Sequence, residues 1–150
     1  MTAGLSFFVA GAAQPKGSAR AYTYRRKDGR VGARVTADNE GRLGAWQSAV
    51  AWGAARALPR HPAPWPSPAG MSLRCAFLLR PPVRRRGRGE PTVKPDLDKL
   101  LRAVCDALTG VVWVDDAQVL DLSAVKAYAA GHEAPGVLVS VSWSEGVTHA

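Results

Sequence analysis

Thiols are scarce in this chain of 150 residues, which holds only Cys75 and Cys105. They stand in separate elements, form no Cys-x-x-Cys and have no histidine at zinc-binding spacing, which excludes a thiol-based zinc site. Both read as small, buried apolar side chains. Long apolar runs are also missing, and none approaches the length that spans a bilayer. The opening Met1-Thr2-Ala3-Gly4 has neither the basic start nor the apolar core of a secretory leader, so the expected location is the cytoplasm, away from membranes. Internal repeats are absent. At this length, with 47% apolar residues, the chain reads as a single domain over residues 1–150.

Acid is in short supply. Twelve Asp and Glu stand against twenty Lys and Arg, a formal charge of +8 and a pI near 10.2. Such a balance favours a polyanionic partner over an acidic small molecule, the alternative being a merely soluble basic surface. The excess of Arg, Ala and Gly is also what a GC-rich genome would give. Against this background two acidic pairs stand out, Asp96 with Asp98 and Asp115 with Asp116. Carboxylates clustered in a basic chain suit hard divalent cations held against nucleic-acid phosphate. Pro95 fixes its own φ and disfavours helix at Lys94, so Asp96 is placed to cap a helix with Asp98 in its first turn. The two carboxylates then converge. A plain N-cap with a dipole-compensating first turn explains the same residues without any metal. The second acidic pair, after a Thr109-Gly110 stop and the apolar run Val112-Trp113-Val114, shifts the balance toward a site.

These residues resemble the RusA-like Holliday-junction resolvases, crossover junction endodeoxyribonucleases whose signature is an Asp-x-Asp opening a helix and an Asp-Asp after the following strand. Asp96, Asp98 and Asp116 fall on the family's essential acidic positions, with Asp115 as companion. Asp106-Ala107-Leu108, Trp113, Asp115-Asp116-Ala117-Gln118-Val119 and Lys126 follow the same pattern. The close part covers roughly residues 94 to 126, and the N-terminal strand, basic loop and helix resemble phage-type members more loosely. Two departures stand out: Lys99 replaces the usual Asn, and Arg102 replaces a functional Lys. Arg keeps charge and bidentate phosphate binding but does not deprotonate, so Arg102 suits an electrostatic role and not a neutral-amine one.

Along the chain, Leu5 to Ala10 reads as a buried strand. Gln14 to Arg34 is a basic loop, with Lys16, Arg20, Arg25 and Arg26 interleaved with Tyr22 and Tyr24, and a hairpin turn at Asp28-Gly29. Arginines beside aromatics suit a nucleic-acid face, a solvated hairpin being the bland reading. Thr36 to Asn39 offers caps for a helix to about Leu58 with Leu43, Trp46, Val50 and Ala54 on one face. The proline-rich stretch from His61 to Gly70 is a connector in which Trp65 reads as a packing plug. Met71 to Leu79 is a second strand. A basic arm over about 81–93 follows, carrying Arg84, Arg85, Arg86 and Arg88, and its charge makes binding salt-dependent. In the helix from Asp96 to Leu108, Leu97, Leu100, Leu101, Val104 and Leu108 form the buried stripe. Asp98 and Arg102 lie a turn apart beside it, in position for an ordinary ion pair or a phosphate contact. Asp106 reads as structural. Val119 to Tyr128 and Gly136 to Trp143 read as a final strand pair, with Lys126 on the first strand, and about 145–150 is a tail.

The fold expected, partly from the resemblance, is α+β: a mixed, largely antiparallel sheet of four or five strands with two helices packed on it. The resemblance implies a Mg²⁺-dependent endonuclease, Mn²⁺ serving in its place, that cuts branched DNA at four-way junctions in recombination or repair. Asp96, Asp98, Asp115 and Asp116 would hold the metal, and Arg102 would offset charge on the phosphate. Lys94, Lys99 and Lys126 would join Lys16, Arg20, Arg25, Arg26, Arg84, Arg85, Arg86 and Arg88 on the DNA. Two symmetric cuts imply a two-fold homodimer, and many relatives are encoded by phages. No small-molecule cofactor is expected. The rival readings are a metal-dependent nuclease for other branched DNA and a DNA-binding relative without catalysis.

Overall fold

The computed structural model describes residues 2–17, 19–37, 40–60, 64–85 and 89–145. Within them the chain forms β1 (Thr2–Ala10), β2 (Ala19–Arg25), β3 (Val31–Ala37), α1 (Glu40–Ala57), β4 (Met71–Leu79), α2 (Leu97–Leu108), β5 (Val119–Tyr128) and β6 (Gly136–Ser144). The main sheet has the order β1-β6-β4-β5, and β2 pairs with β3 as a separate hairpin. The architecture is α+β, with a mixed sheet.

Period-two burial places the core. Met71, Leu73, Cys75 and Phe77 of β4, and Val137, Val139, Val141 and Trp143 of β6, point inward and are at most 5% exposed. They meet Leu100, Val104 and Leu108 of α2 and Trp46, Val50 and Ala54 of α1 in one cluster. The helices touch as well, through Gln47 Nε2 donating to the Ala103 carbonyl at 3.1 Å. The expected α2 stripe is shifted slightly, because Ala103 and Ala107 are buried while Leu97 and Leu101 are only partly so.

The pairing of the last two strands differs from expectation. β5 and β6 do not pair; β4 lies between them, parallel to β5 and antiparallel to β6. Two causes act together. A helix that links neighbouring strands of one sheet returns the chain parallel, and α2 is that crossover between β4 and β5. Burying a valine side chain stabilises by about 1.5–3 kcal/mol, so β6, with three inward valines, gains most from a central place. β5 takes the edge, where Leu120, Leu122 and Val125 stay at least half exposed.

Three smaller corrections follow. The basic stretch is a loop only as far as Gly17; from Ala19 it is the β2–β3 hairpin, closed at Asp28-Gly29 as expected, where Arg26 N donates to the Arg30 carbonyl at 2.7 Å. Gly29 has φ +83°, a value that strains any residue with a Cβ. Thr36 lies in β3 and so caps no helix, whereas Asp38 and Asn39, like His61, fall outside the described residues. Val112-Trp113-Val114 is not a strand: it closes a turn after α2, with Gly110 donating to the Trp113 carbonyl at 2.7 Å and Val112 and Trp113 wholly buried. Trp65 is the expected plug, set edge-on to Trp143 with ring centroids 5.2 Å apart. Among the described residues no helix is long and apolar enough to cross a membrane.

Candidate metal and nucleic-acid site

The lead-in to α2 is held from the neighbouring strand. Lys126 of β5 donates through Nζ to the carbonyls of Val93 and Pro95, both at 2.9 Å. It therefore pins the loop that delivers the first acidic pair, and is not the exposed strand lysine it would be by default. Asp96 sits at the N-cap with extended backbone, φ −69° and ψ 134°, but its carboxylate caps nothing. It lies 3.4 Å from Lys99 Nζ instead. Asp98 is exposed in the first turn. Among the described residues Asp98 and Arg102 form no ion pair, which leaves both groups open to solvent.

Asp98, Arg102, Cys105 and Thr109 follow one another at steps of four, three and four residues, so they share one face of α2. At its far end Thr109 forms the C-cap, and its hydroxyl contacts Asp116 Oδ1. Trp113 Nε1 donates to the same Asp116 oxygen at 3.1 Å and to the Thr109 hydroxyl at 3.0 Å. Both holds fall on Oδ1, and among the described residues Oδ2 is open. Asp115, the expected companion ligand, caps the acidic turn through its Oδ1. It accepts from Ala117 N at 2.8 Å and forms a capping box with Gln118. Gln118 in turn donates to the carbonyls of Ser67 and Ala69, each at 2.8 Å, tying the acidic turn to the strap before β4.

Cys105 reports the local field. Burial, then Asp116 and Asp106, push its thiol up to about 11. Burial, then Cys105, push Cys75 up to about 12. Both thiols are neutral and inert at physiological pH.

The structure thus brings Asp96 beside Asp98 and Asp115 beside Asp116, and keeps the two pairs apart. Eleven residues of rise between Asp98 and Thr109 amount to about 16 Å along the helix. Among the described residues no three His, Cys, Asp or Glu side chains are grouped to hold a metal ion. The donors have the right chemistry for Mg²⁺, hard carboxylate oxygens with one of Asp116's oxygens open, but a single ion shared by both pairs does not fit within one chain.

The basic candidates divide. Arg25 and Arg26 are exposed at the hairpin tip, and Lys94 and Arg84 are exposed near the start of α2 and after β4. Lys16 is ion-paired with Asp106, and its backbone N donates to the Lys99 carbonyl at 2.9 Å. Arg20 lies in β2 and Arg85 in a 3-10 turn, both placed by backbone alone, and Arg86 and Arg88 fall outside the described residues. Sequence reasoning missed the roles of Thr109, Trp113 and Gln118 around the second acidic pair. Only Gln118 carried a local signal, as the last residue of an Asp-x-x-Gln capping box.

Uncharacterized protein YqaN of Bacillus subtilis (strain 168) is 41% identical over 56 residues, which is 37% of this chain and 37% of that protein. The family model described as Endodeoxyribonuclease RusA matches residues 12–142, from before the basic hairpin into the last strand. On that match, the chain belongs to the RusA endodeoxyribonuclease family.

Proposed function

We infer that the protein is a single-domain, structure-selective endodeoxyribonuclease that resolves four-way DNA junctions by paired incisions, with Mg²⁺ or Mn²⁺ as its metal and a homodimer as its working form. The observation that carries this reading is the solvent-facing strip of α2. In a chain of charge +8 that belongs to the RusA family, that strip sets carboxylates at both ends and Arg102 between them. A divalent ion, when bound, supplies activation of a water molecule and stabilisation of the leaving oxygen.

The chain's own residues supply the rest. The hairpin tip with Arg25 and Arg26, and the arm carrying Arg84, grip phosphate and make binding sensitive to salt. Arg102, permanently charged and forked, pairs with the phosphate oxygens as charge builds on them. Lys126 holds the Asp96–Asp98 loop in place. Thr109 and Trp113 fix one oxygen of Asp116 so that the other faces outward, the arrangement by which outer-shell donors aim a metal-binding carboxylate.

The test is Asp98→Asn. It removes a carboxylate and no positive charge, so the variant is expected to bind a four-way junction as tightly as the parent and to cut none. Full cleavage by the variant would sink the assignment.

A further inference from the structure

β1 is the edge strand of the main sheet on the side away from β5, and it pairs with β6 alone. Natural edges are blunted by charge, proline or a bulge, because an open row of N–H and C=O groups is a template for another strand. β1 has none of the three. Thr2 to Ala10 carries no charged residue and no proline, and its pairing with β6 runs from end to end without a register shift. Among the described residues no strand lies on its free side.

That open edge is the floor of a groove. A cavity of about 510 Å³ is lined by consecutive residues, Phe7 to Ala10, so it opens on the edge of the strand and not on one face of the sheet, and α1 forms its wall. The wall stands close because position 53 is glycine: a Cβ there would come within 3.1 Å of the Phe7 and Val9 side chains. Trp52 stands on the rim, 68% exposed, with Phe8 in the floor 46% exposed. The core face of α1 is already filled by Leu43, Trp46, Val50 and Ala54, so the Trp52 indole is left over from folding. Exposed aromatic anchors of this kind carry much of the binding energy at protein interfaces.

Charge selects the occupant. Among the described residues Arg56 is the one charged side chain lining the groove. It is exposed and, among those residues, in no ion pair. The acid of α1, Glu40, lies at the opposite end, about 24 Å away along the helix. One arginine beside apolar walls and a row of backbone carbonyls is no grip for the phosphates of DNA, and a second copy of this chain would bring a charge of +8 against it. An acidic chain fits. Its pattern follows from direction: α1 runs antiparallel to β1, since Trp46 lies against Gly11, and Gly53 against Phe7 and Val9. Arg56, one helical turn beyond Trp52, is displaced toward Leu5 by about 6 Å, the span of two strand residues.

We propose that the β1 edge and the Trp52 wall of α1 form a docking groove for an extended acidic segment of another protein. The segment adds to the main sheet as a further strand, the mode of recognition in which backbone bonds give affinity and alternate side chains give specificity. An apolar side chain packs on Trp52 and, two residues along, a carboxylate pairs with Arg56. The groove uses none of the α2 residues, so a partner can hold the protein while the acidic strip stays free for its substrate.

The probe is a phage-displayed library of random dodecapeptides, selected on the purified full-length protein and on its Trp52→Ala and Arg56→Glu variants. Both side chains are exposed, and circular dichroism checks that the variants fold. On the parent, the expected winners carry Asp or Glu two positions from an aromatic or branched apolar residue. Synthetic copies of them should slow hydrogen exchange at the amides of β1, bind Trp52→Ala at least tenfold more weakly, and lose to basic peptides on Arg56→Glu. Affinity for a four-way junction should be the same in Trp52→Ala as in the parent. No enrichment on the parent, winners without acid, equal binding to the variants or unchanged exchange in β1 would each overturn the proposal. Displacement of the peptides by junction DNA would make the groove a nucleic-acid surface, and a lower sedimentation mass for Trp52→Ala would make it a contact between copies; either result also overturns it. Cleavage enters none of these readings, so the groove and the nuclease assignment stand or fall separately.

Discussion

In the proposed mechanism, Asp116 matters for how it is held as much as for its charge. Two donors fix its Oδ1, the Thr109 hydroxyl and the indole of fully buried Trp113. Thr109→Val keeps the volume and removes one hold without altering charge. The expected outcome is a loss of about 10- to 100-fold in cleavage rate, the usual cost of losing an outer-shell partner, with junction affinity unchanged in a binding titration. The cysteines give a second test at this scale. Their folded-state values, about 12 for Cys75 and about 11 for Cys105, lie above the ordinary 9.0. A raised value means the neutral thiol is the form the fold prefers. The stability they contribute is therefore complete below pH 9 and is lost as pH rises toward 11 and 12. Chemical denaturation from pH 8 to 12 should show stability falling across that window, with a shallower fall in Cys75→Ala; equal slopes would contradict the burial of this thiol.

At the scale of elements, α2 was legible because its signals are local: Pro95 and Asp96 at the start, apolar residues at helical spacing, Thr109-Gly110 at the end. Its consequence for the site was equally local but is easily overlooked, since two acidic pairs that bracket a helix must stand apart by its length. Strand order was not legible. β5 and β6 both read as strands, but which strand each pairs with is set by the α2 crossover and by competition for the centre of the sheet, neither of which is a property of either segment. The hairpin of β2 and β3 hid behind its charge, its turn announced by Asp28-Gly29 while its strands carry too few apolar residues to show a core face. Lys126 is the clearest case of a role set by tertiary structure, because nothing around it in sequence points to the carbonyls of Val93 and Pro95. Lys126→Met should free the entry to α2. We expect a loss of about 1–2 kcal/mol in urea denaturation, given two charge-assisted bonds on a partly exposed group. Cleavage should fall further than folding stability alone accounts for.

At the scale of the whole molecule, the excess positive charge includes the hairpin tip and the arm after β4, whereas the two acidic pairs stand at the two ends of one helix. A general duplex nuclease and a junction resolvase would both have such an arrangement, and they differ in whether two sites act together on one branched substrate. The most direct measurement is cleavage of a synthetic four-way junction beside a matched linear duplex, with Mg²⁺ or Mn²⁺ and with EDTA. Paired, symmetric cuts in the junction alone, abolished by EDTA, are the predicted result. Equal cutting of the linear duplex, or tight junction binding with no cleavage in either metal, would contradict it.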